Sequence, residues 1–591
     1  MDPVIVVGGG PVGLALALAL ARQDVPSVVI EQGEGRPREN PRTVVLRPDT
    51  AALLTRLGYK SACSDGASWT VWRTMRRRRE LLRVEFGGGD RFGDHEGIAP
   101  GPRPADGARP TGPRPAAGYR PAAGQDDGYA DGVMGRQPSP LHLRQNLLLR
   151  GLADAAAASG LIQLATGSHV DAVEQDDDGV TVHTRGDATT WWRGSHLVGC
   201  DGTRSIVRKL LGVRFPGRTA VDRYAVATVR AELPFPGEAL LHWEPPWRGD
   251  SEVTARPLPD GVWRVDWRLP PVSSTAAMAS HGDLLTPDAL ITKIRDTLAG
   301  WCGSVPRYDL LASAEYGVHQ RLAQRWRVGR AFLAGDAAHQ LGALGVQSVD
   351  EGLRDVDNLA WKLAAAWHRH ASDTLLDSYQ AERRGAVGAR LRAADQALPL
   401  LRSSGALRSA RRSLLSGPAR KHGSLLSDGN VGTGLLGGPS VYRRSRLSAP
   451  SSSATTDTPV GGQVDDVPVT ALDGSRTRLR ERLGRDLLVV LVAPGTGVWD
   501  SRHWLSAGLM PALSAATAAL PVPAELLVAE TYPGSTAHTV LLVRPDGHLA
   551  AVMNGFRPAE LHASAELARG GSPEAEAETE AEQSQDRVGT G

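Results

Sequence analysis

The chain is poor in cysteine, in net charge and in long apolar runs. Its three cysteines, Cys63, Cys200 and Cys302, lie far apart with no C-x-x-C pair. That argues against both a disulfide framework and a thiolate zinc site, and no metal is expected. Lys and Arg exceed Asp and Glu by 67 − 65 = 2, which gives no electrostatic case for a nucleic-acid partner. The apolar run Val12–Ala21 stops at Arg22, short of the ~20 residues a bilayer span requires. The opening Met1-Asp2-Pro3 lacks the basic region of a secretory signal. The expectation is a soluble, cytoplasmic protein with no membrane partner. What remains is ordinary globular material, 41% hydrophobic and 22% charged over 591 residues, enough for two to four domains.

The N-terminus carries the first chemistry. Val4-Ile5-Val6-Val7 is a short β-branched run that reads as a buried parallel strand. Gly8-Gly9-Gly10-Pro11-Val12-Gly13 follows, then a small-residue helix from Leu14 to about Arg22, a second apolar strand Ser27–Ile30, and Glu31. Gly8, Gly10 and Gly13 form G-x-G-x-x-G. In that pattern the first glycine permits the tight turn, the second admits a pyrophosphate and the third lets helix and strand pack closely. The helix N-terminus offers free N–H groups to phosphate, and the acid after the second strand suits ribose hydroxyls. This is an adenine-dinucleotide site, which the unit by itself leaves open between NAD and FAD.

Two later segments bear on that choice. Leu197-Val198-Gly199-Cys200-Asp201-Gly202 reads as strand and acidic turn before a helix, and Ala331-Phe332-Leu333-Ala334-Gly335-Asp336 as strand and G-D turn. Together with the glycine turn, and with Val356-Asp357-Asn358-Leu359-Ala360-Trp361-Lys362-Leu363 beyond them, the chain resembles the class A flavoprotein monooxygenases, the aromatic-ring and polyketide hydroxylases that include phenol hydroxylase. The resemblance covers roughly residues 1 to 400. It implies an α/β fold: a Rossmann-type FAD-binding domain from 1–70, 139–212 and 315–402, with an interleaved β-sheet substrate domain from 71–138 and 213–314. Within the latter, 87–138 reads as a flexible Gly/Pro-rich insertion. A linker is expected over 403–460, a thioredoxin-like α/β domain over 461–560 and a disordered acidic tail over 561–591. A helix is expected over Leu141–Ala158, and a long helical region over Asp350–Leu401.

The resemblance also implies roles. The turn Gly8, Gly10, Pro11, Val12 and Gly13 and the acid Glu31 would hold the adenosine half of FAD. Arg42 would lie near the pyrophosphate and active site, Gln145 near the ribityl chain, and Asp336, after Gly335, on a ribityl hydroxyl. Asp201 and Gly202 would contribute to both FAD and NAD(P)H contacts. The implied reaction is reduction of FAD by NAD(P)H as a transient cosubstrate, addition of O2 to give a C4a-hydroperoxyflavin, and hydroxylation of a small aromatic, phenolic or polyketide substrate. Baeyer–Villiger oxidation and epoxidation stay open on the same scaffold, as does a non-catalytic FAD-binding scaffold. No catalytic residue is named; His339 reads as structural, since a lone histidine in a turn usually is.

The chain departs from the family's pattern after the G-D motif. Gly345 and Gln347 match, but Ala343, Val346, Ser348 and Asp350 replace the usual Pro, Gly, Gly and Asn. Asp350 at a flavin-facing helix start would place negative charge where reduced flavin needs positive potential, unless it faces away or serves as an N-cap. In the C-terminal unit the redox position around Ala493–Trp499 has no cysteine. Thiol–disulfide exchange is therefore excluded there, leaving a structural or dimer-forming role, with a homodimer among the assemblies open to the chain. Trp191-Trp192 is expected in the core.

Overall fold

The computed structural model describes residues 1–34, 41–59, 62–87, 137–186, 190–247, 252–269, 286–342, 348–369, 371–402, 437–449, 455–495 and 509–571. Most of the Gly/Pro-rich insertion, of the linker and of the acidic tail therefore lies outside the described residues, as do Gly345 and Gln347.

The first sheet is built from short, fully buried strands. In space they run Ile162–Ala165, Ser27–Ile30, Val4–Val7, His196–Gly199, Ala331–Leu333, all parallel, with Arg327–Val328 antiparallel at the edge. Every side chain of Val4–Val7 is buried, as a parallel strand covered on both faces requires. The chain order reverses on either side of Val4–Val7, so the crevice beyond its C-terminal end is the topological switch point where such sheets bind ligands. Helix Pro11–Ala21 packs between this sheet and the long helix Ser348–Arg369.

The second sheet has nine strands and mixes distant parts of the chain. Val71–Arg76 and Arg79–Gly87 join it beside Glu238–Trp243, which continues through Glu252–Pro257, Val262–Leu269, Gly217–Ala231 and Tyr308–Leu322. Its two faces differ in kind. Ala225, Ala227, Val229, Trp263, Val265 and Trp267 form an apolar face covered by helix Pro287–Cys302 through Ile294 and Leu298. The opposite face carries Tyr224, Arg256, Arg264, Asp266 and Tyr316, aligned by strand register. It looks toward the first unit: Arg264 donates to the Pro41 carbonyl at 3.2 Å and to the Thr43 hydroxyl at 2.9 Å.

The third unit is a six-stranded sheet. Leu487–Val492 runs parallel to Ala524–Ala529 and antiparallel to Thr539–Val543, which pairs with Leu549–Asn554. It docks on the first unit through buried ions. Arg544 donates to both oxygens of Glu382 at 2.6 and 2.9 Å, Lys362 reaches the same carboxylate at 2.7 Å, and Asn358 bridges Glu382 and Asp546. The Trp361 ring lies 5.3 Å from the Arg544 guanidinium.

Several local expectations are corrected. Leu141–Arg144 is a strand, and the helix begins at Gln145; its alternating Leu-His-Leu pairs with Thr43–Leu46 and Gly66–Ser68, which outweighs local helix preference. The long helical region is divided into Ser348–Arg369, Asp373–Tyr379, a π-turn Gln380–Arg384 and Gly385–Arg402. The π-turn directs Glu382 and Arg383 into the ionic cluster. The 403–460 segment is not all linker, because Tyr442 is buried and stacked on His548 at 4.3 Å. Residues 561–571 are not tail: helix Pro558–Ala568 buries Leu561 and Ala565 against the third sheet. Trp191 is 57% exposed; on a strand, one residue of an adjacent pair faces outward.

Candidate cofactor and substrate site

Each glycine of the turn is required for a different reason. Gly8 adopts φ +108°, and a Cβ there would sit 2.6 Å from the Cys200 carbonyl oxygen. A Cβ on Gly13 would sit 1.9 Å from the Gly8 carbonyl oxygen, so helix and strand approach at a distance only glycine allows. Gly10 differs: a Cβ there would meet nothing within 4 Å. No atom of the described residues demands glycine at that point, and the space before it is open to a ligand. Gly10 is also the N-cap of helix Pro11–Ala21 and makes no side-chain cap bond, so the helix dipole faces that space. The Val12 side chain, by contrast, packs under the G-D turn, 3.1 Å from where a Gly335 Cβ would be.

Glu31 stands at the lip of the turn. Its Oε2 accepts from the Gly9 N–H at 2.7 Å and its Oε1 from the Gly33 N–H at 2.8 Å. A carboxylate has further lone pairs, so the residue is oriented without being saturated. Asp201 lies across the switch point. Its Oδ2 caps helix Ile206–Leu210 by accepting from Ile206 at 2.6 Å and Val207 at 3.1 Å. Its Oδ1 is buried with no partner among the described residues, and burial pushes the carboxyl above its ordinary value. An orphaned buried oxygen and an open glycine cradle are what a bound dinucleotide would complete.

The flavin-side candidates converge from separate segments. The Gln145 N–H donates to the Arg42 carbonyl at 3.0 Å, and Gln145 opens its helix. Asp336 sits in the short turn Gly335–Ala337. Burial raises its carboxyl, while His339, Ser348 and the positive charge of Arg42 draw it back. The structure thus brings Arg42, Gln145 and Asp336 to one side of the crevice, with Gly8–Gly13, Glu31 and Asp201–Gly202 along its floor.

Several supporting residues escaped sequence reasoning. Asp355 accepts from the Gly335 N–H at 2.9 Å and contacts His339 Nε2 at 2.7 Å, holding the G-D turn in place. His339 is fully buried and stacked on Trp326, a structural position. Asp350 is not an N-cap: it lies inside the helix Ser348–Arg369, and its carboxylate accepts from Arg47 Nη1 at 2.7 Å and Thr50 Oγ1 at 2.5 Å. Its charge is turned onto Arg47.

His142 links the two units. Its Nε2 lies 2.8 Å from Thr43 Oγ1 and its Nδ1 2.7 Å from the Pro257 carbonyl. A carbonyl only accepts, so Nδ1 carries the proton. Thr43 accepts from Arg264 and donates to Nε2, and the ring is neutral. Burial and the nearby Arg256 hold its pKa down at about 3. Beyond it, the Tyr316 hydroxyl donates to Asp266 at 2.9 Å, and the Tyr224 and Tyr316 rings stack at 5.5 Å.

A glycine turn at a switch point, an oriented acid and a polar sheet face opposed to the crevice define a dinucleotide-binding α/β protein with an appended, mostly antiparallel sheet. The chain belongs to the FAD binding domain family, which matches residues 1–394, and FAD is its cofactor. It is 33% identical over 249 residues to the 3-(3-hydroxy-phenyl)propionate/3-hydroxycinnamic acid hydroxylase of Paraburkholderia xenovorans, covering 41% of this chain and 38% of that one. It is 28% identical to the hydroxylase of the same name from Mycolicibacterium smegmatis, over 64% of this chain and 58% of that one. The matches thus span about half the length of these relatives or less. The para-nitrophenol 4-monooxygenase of Pseudomonas sp. is 29% identical over 65% of this chain and 83% of its own. In fold, the chain resembles the flavin-dependent monooxygenase PieE solved with FAD and substrate (TM-score 0.66, 20% identity, covering 96% of this chain and 98% of that one). It also resembles the Diels-Alderase PyrE3 (0.61, 24%, 96% and 99%). No helix among the described residues is long and apolar enough to cross a membrane.

Proposed function

We propose that the protein is an FAD-dependent monooxygenase that hydroxylates a small aromatic substrate with NAD(P)H and O2. The observation that carries this reading is the sheet face bearing Tyr224, Arg256, Arg264, Asp266 and Tyr316. It is polar, yet it is turned inward toward Pro41–Thr43 and the FAD crevice. A sheet face of this kind is normally apolar or solvated; here it makes a second wall for a molecule lying against the cofactor. The similarity to aromatic hydroxylases supports the same conclusion. The Diels-Alderase neighbour shows why fold by itself does not decide it.

Bound FAD supplies the transfer of reducing equivalents from NAD(P)H and the activation of O2. The chain's own residues bind and orient. Glu31 takes the adenosine ribose, and the N–H groups beyond Gly10 take the pyrophosphate. Arg42 and Gln145 flank the ribityl and flavin side, and Asp336 takes a ribityl hydroxyl. Asp201 and Gly202 close the switch point. The stacked Tyr224 and Tyr316 rings and the Arg264–Asp266 pair present the substrate. The Arg47–Asp350 pair keeps the carboxylate of Asp350 from opposing negative charge on reduced flavin.

The test is direct. FAD released from the purified protein, followed by substrate-stimulated NAD(P)H and O2 consumption with a product carrying one added oxygen, supports the reading. A loaded flavoprotein that consumes neither with any phenol, nitrophenol, hydroxyphenyl acid or polycyclic phenol defeats it.

A further inference from the structure

The first and third units do not close completely on each other. Between them lies a cleft of about 360 Å3, along the C-terminal half of helix Ser348–Arg369. Trp361, Ala364, Leu487, Val522 and Pro523 give it an apolar bed, and the exposed Arg485 borders it. That volume lies at the small end of the range for ligand sites, with room for one or two rings rather than a polycycle. The contacts of Asp350 and Asp355 that support the flavin side lie nearer the other end of the helix, so the cleft is separate from the FAD crevice. A narrow recess that shares Gln23, Trp361 and Pro545 continues from it toward Arg22 and Arg56.

Two groups at this cleft are left unmet. The Trp361 residue is 6% exposed, and its Nε1 is buried with no hydrogen-bond partner among the described residues. A buried N–H of this kind is uncommon and costly. The second is Arg22. The surrounding cations have carboxylates: Arg485 donates to Asp24 at 2.9 Å, Arg569 to Glu566 at 2.6 Å, and Arg56 to Asp357 at 3.2 Å. Arg22 instead donates to the Arg56 carbonyl at 2.7 Å, and among the described residues no carboxylate forms an ion pair with it. Desolvation and the positive charges of Arg56 and Arg485 hold its pKa below the ordinary value.

The unmet groups select a ligand. Arg22 belongs to the first unit and Arg485 to the third, so an anion between them must serve two guanidinium groups. A carboxylate has two oxygens, which a single guanidinium fork occupies. A phosphate monoester has three terminal oxygens and nearly two charges, enough to offset Arg22 while Asp24 stays on Arg485. The apolar bed and the Trp361 ring suit a flat aromatic body, and an acceptor atom on the ligand would complete the indole N–H.

We propose that this cleft is a second ligand site and that it takes an aromatic phosphate monoester, its ring on the Trp361 bed and its phosphate between Arg22 and Arg485. The proposal is independent of the reaction assigned to the FAD crevice.

The experiment is a calorimetric titration of the full-length, FAD-loaded protein, in which the dinucleotide site is already filled. The probes are 1-naphthyl phosphate and adenosine monophosphate, each compared with its dephosphorylated form and with inorganic phosphate. At least one of the two is expected to bind once per chain, roughly 10- to 100-fold more tightly than its alcohol and than inorganic phosphate. The flavin absorption spectrum should not change on binding. The pair of probes separates a nucleotide from a simple aryl phosphate. Arg22→Gln, at an exposed position, should weaken binding of the phosphate by roughly 10- to 100-fold and leave the alcohol unaffected. Trp361→Phe keeps a ring but removes the N–H, and should weaken it by roughly 2- to 10-fold. If Trp361→Phe does not fold, Arg22→Gln decides. The proposal fails if neither phosphate outbinds its alcohol and inorganic phosphate. It fails equally if Arg22→Gln binds as the wild type does, or if binding perturbs the flavin spectrum and so reports the FAD crevice instead.

Discussion

Arg47 and Asp350 are 303 positions apart in the chain and 2.7 Å apart in space, and both are buried. The pair fixes the start of the helix Ser348–Arg369 to the start of the helix Pro48–Arg56. Removing one partner strands a buried charge, which costs about 3–5 kcal/mol. Arg47→Met is therefore expected to lower the unfolding free energy of the FAD-loaded protein by that amount in denaturant titrations. Asp350→Asn, which restores the residue usual in the family, removes the carboxylate charge that the Arg47 guanidinium addresses and is expected to fall in the same direction. An unchanged unfolding midpoint for Arg47→Met would count against the pair's role.

The three glycines of the turn separate by experiment. Gly13→Ala forces a methyl group into the Gly8 carbonyl and should give insoluble or strongly destabilised protein. Gly10→Ala meets only open space and should fold with near wild-type stability while losing FAD on dialysis. Retention of FAD by Gly10→Ala would show that the open space is not the pyrophosphate site.

Glu31→Gln keeps the shape but loses the charge that both Gly9 and Gly33 address. Loss of the charged acceptor proposed for the ribose hydroxyls is worth about 1.5–3 kcal/mol, so FAD affinity should fall roughly 10- to 100-fold in fluorescence titrations, and the apoprotein's melting temperature should drop as well, because the amide NH2 cannot accept from one of the two N–H groups.

His142 sets a pH dependence. Its folded-state pKa of about 3 lies below the ordinary 6.5, so the unfolded chain takes up this proton more readily than the folded one. Stability from this group is complete above pH 6.5 and is lost as pH falls from there toward 3. Between pH 6.5 and 5 the loss approaches about 2 kcal/mol. His142→Gln should flatten that part of the stability–pH curve, and a parallel curve would remove His142 as its source.

The candidate cofactor half of the site was legible because its determinants are local. Gly8–Gly13, Glu31, Asp201–Gly202 and Gly335–Asp336 each follow a strand, and strand ends are readable from short apolar runs. The substrate half was not. Trp263-Arg264-Val265-Asp266-Trp267-Arg268 alternates plainly, which announces a two-faced strand. Alternation by itself, however, assigns the polar face to solvent. That Arg264 and Asp266 instead meet Thr43, and that Arg256 stands opposite Arg264, depends on register between strands and on a chain segment more than two hundred residues away. The π-turn at Gln380–Arg384 was equally hidden, since its Glu382 is answered by Arg544 from the last unit.

The seam between the first and third units has a consequence for how this chain can be shortened. Glu382 and Lys362 are buried, and Glu382 is answered by Arg544 from the final hairpin. A chain ending before Pro468 would lose that cation and uncover the carboxylate beside helix Ser348–Arg369, whose other end carries Asp350 and Asp355 beneath the G-D turn. The C-terminal unit is therefore a stopper for the first unit rather than a detachable passenger, and cutting it away is expected to loosen helix Ser348–Arg369, whose Asp355 holds the G-D turn.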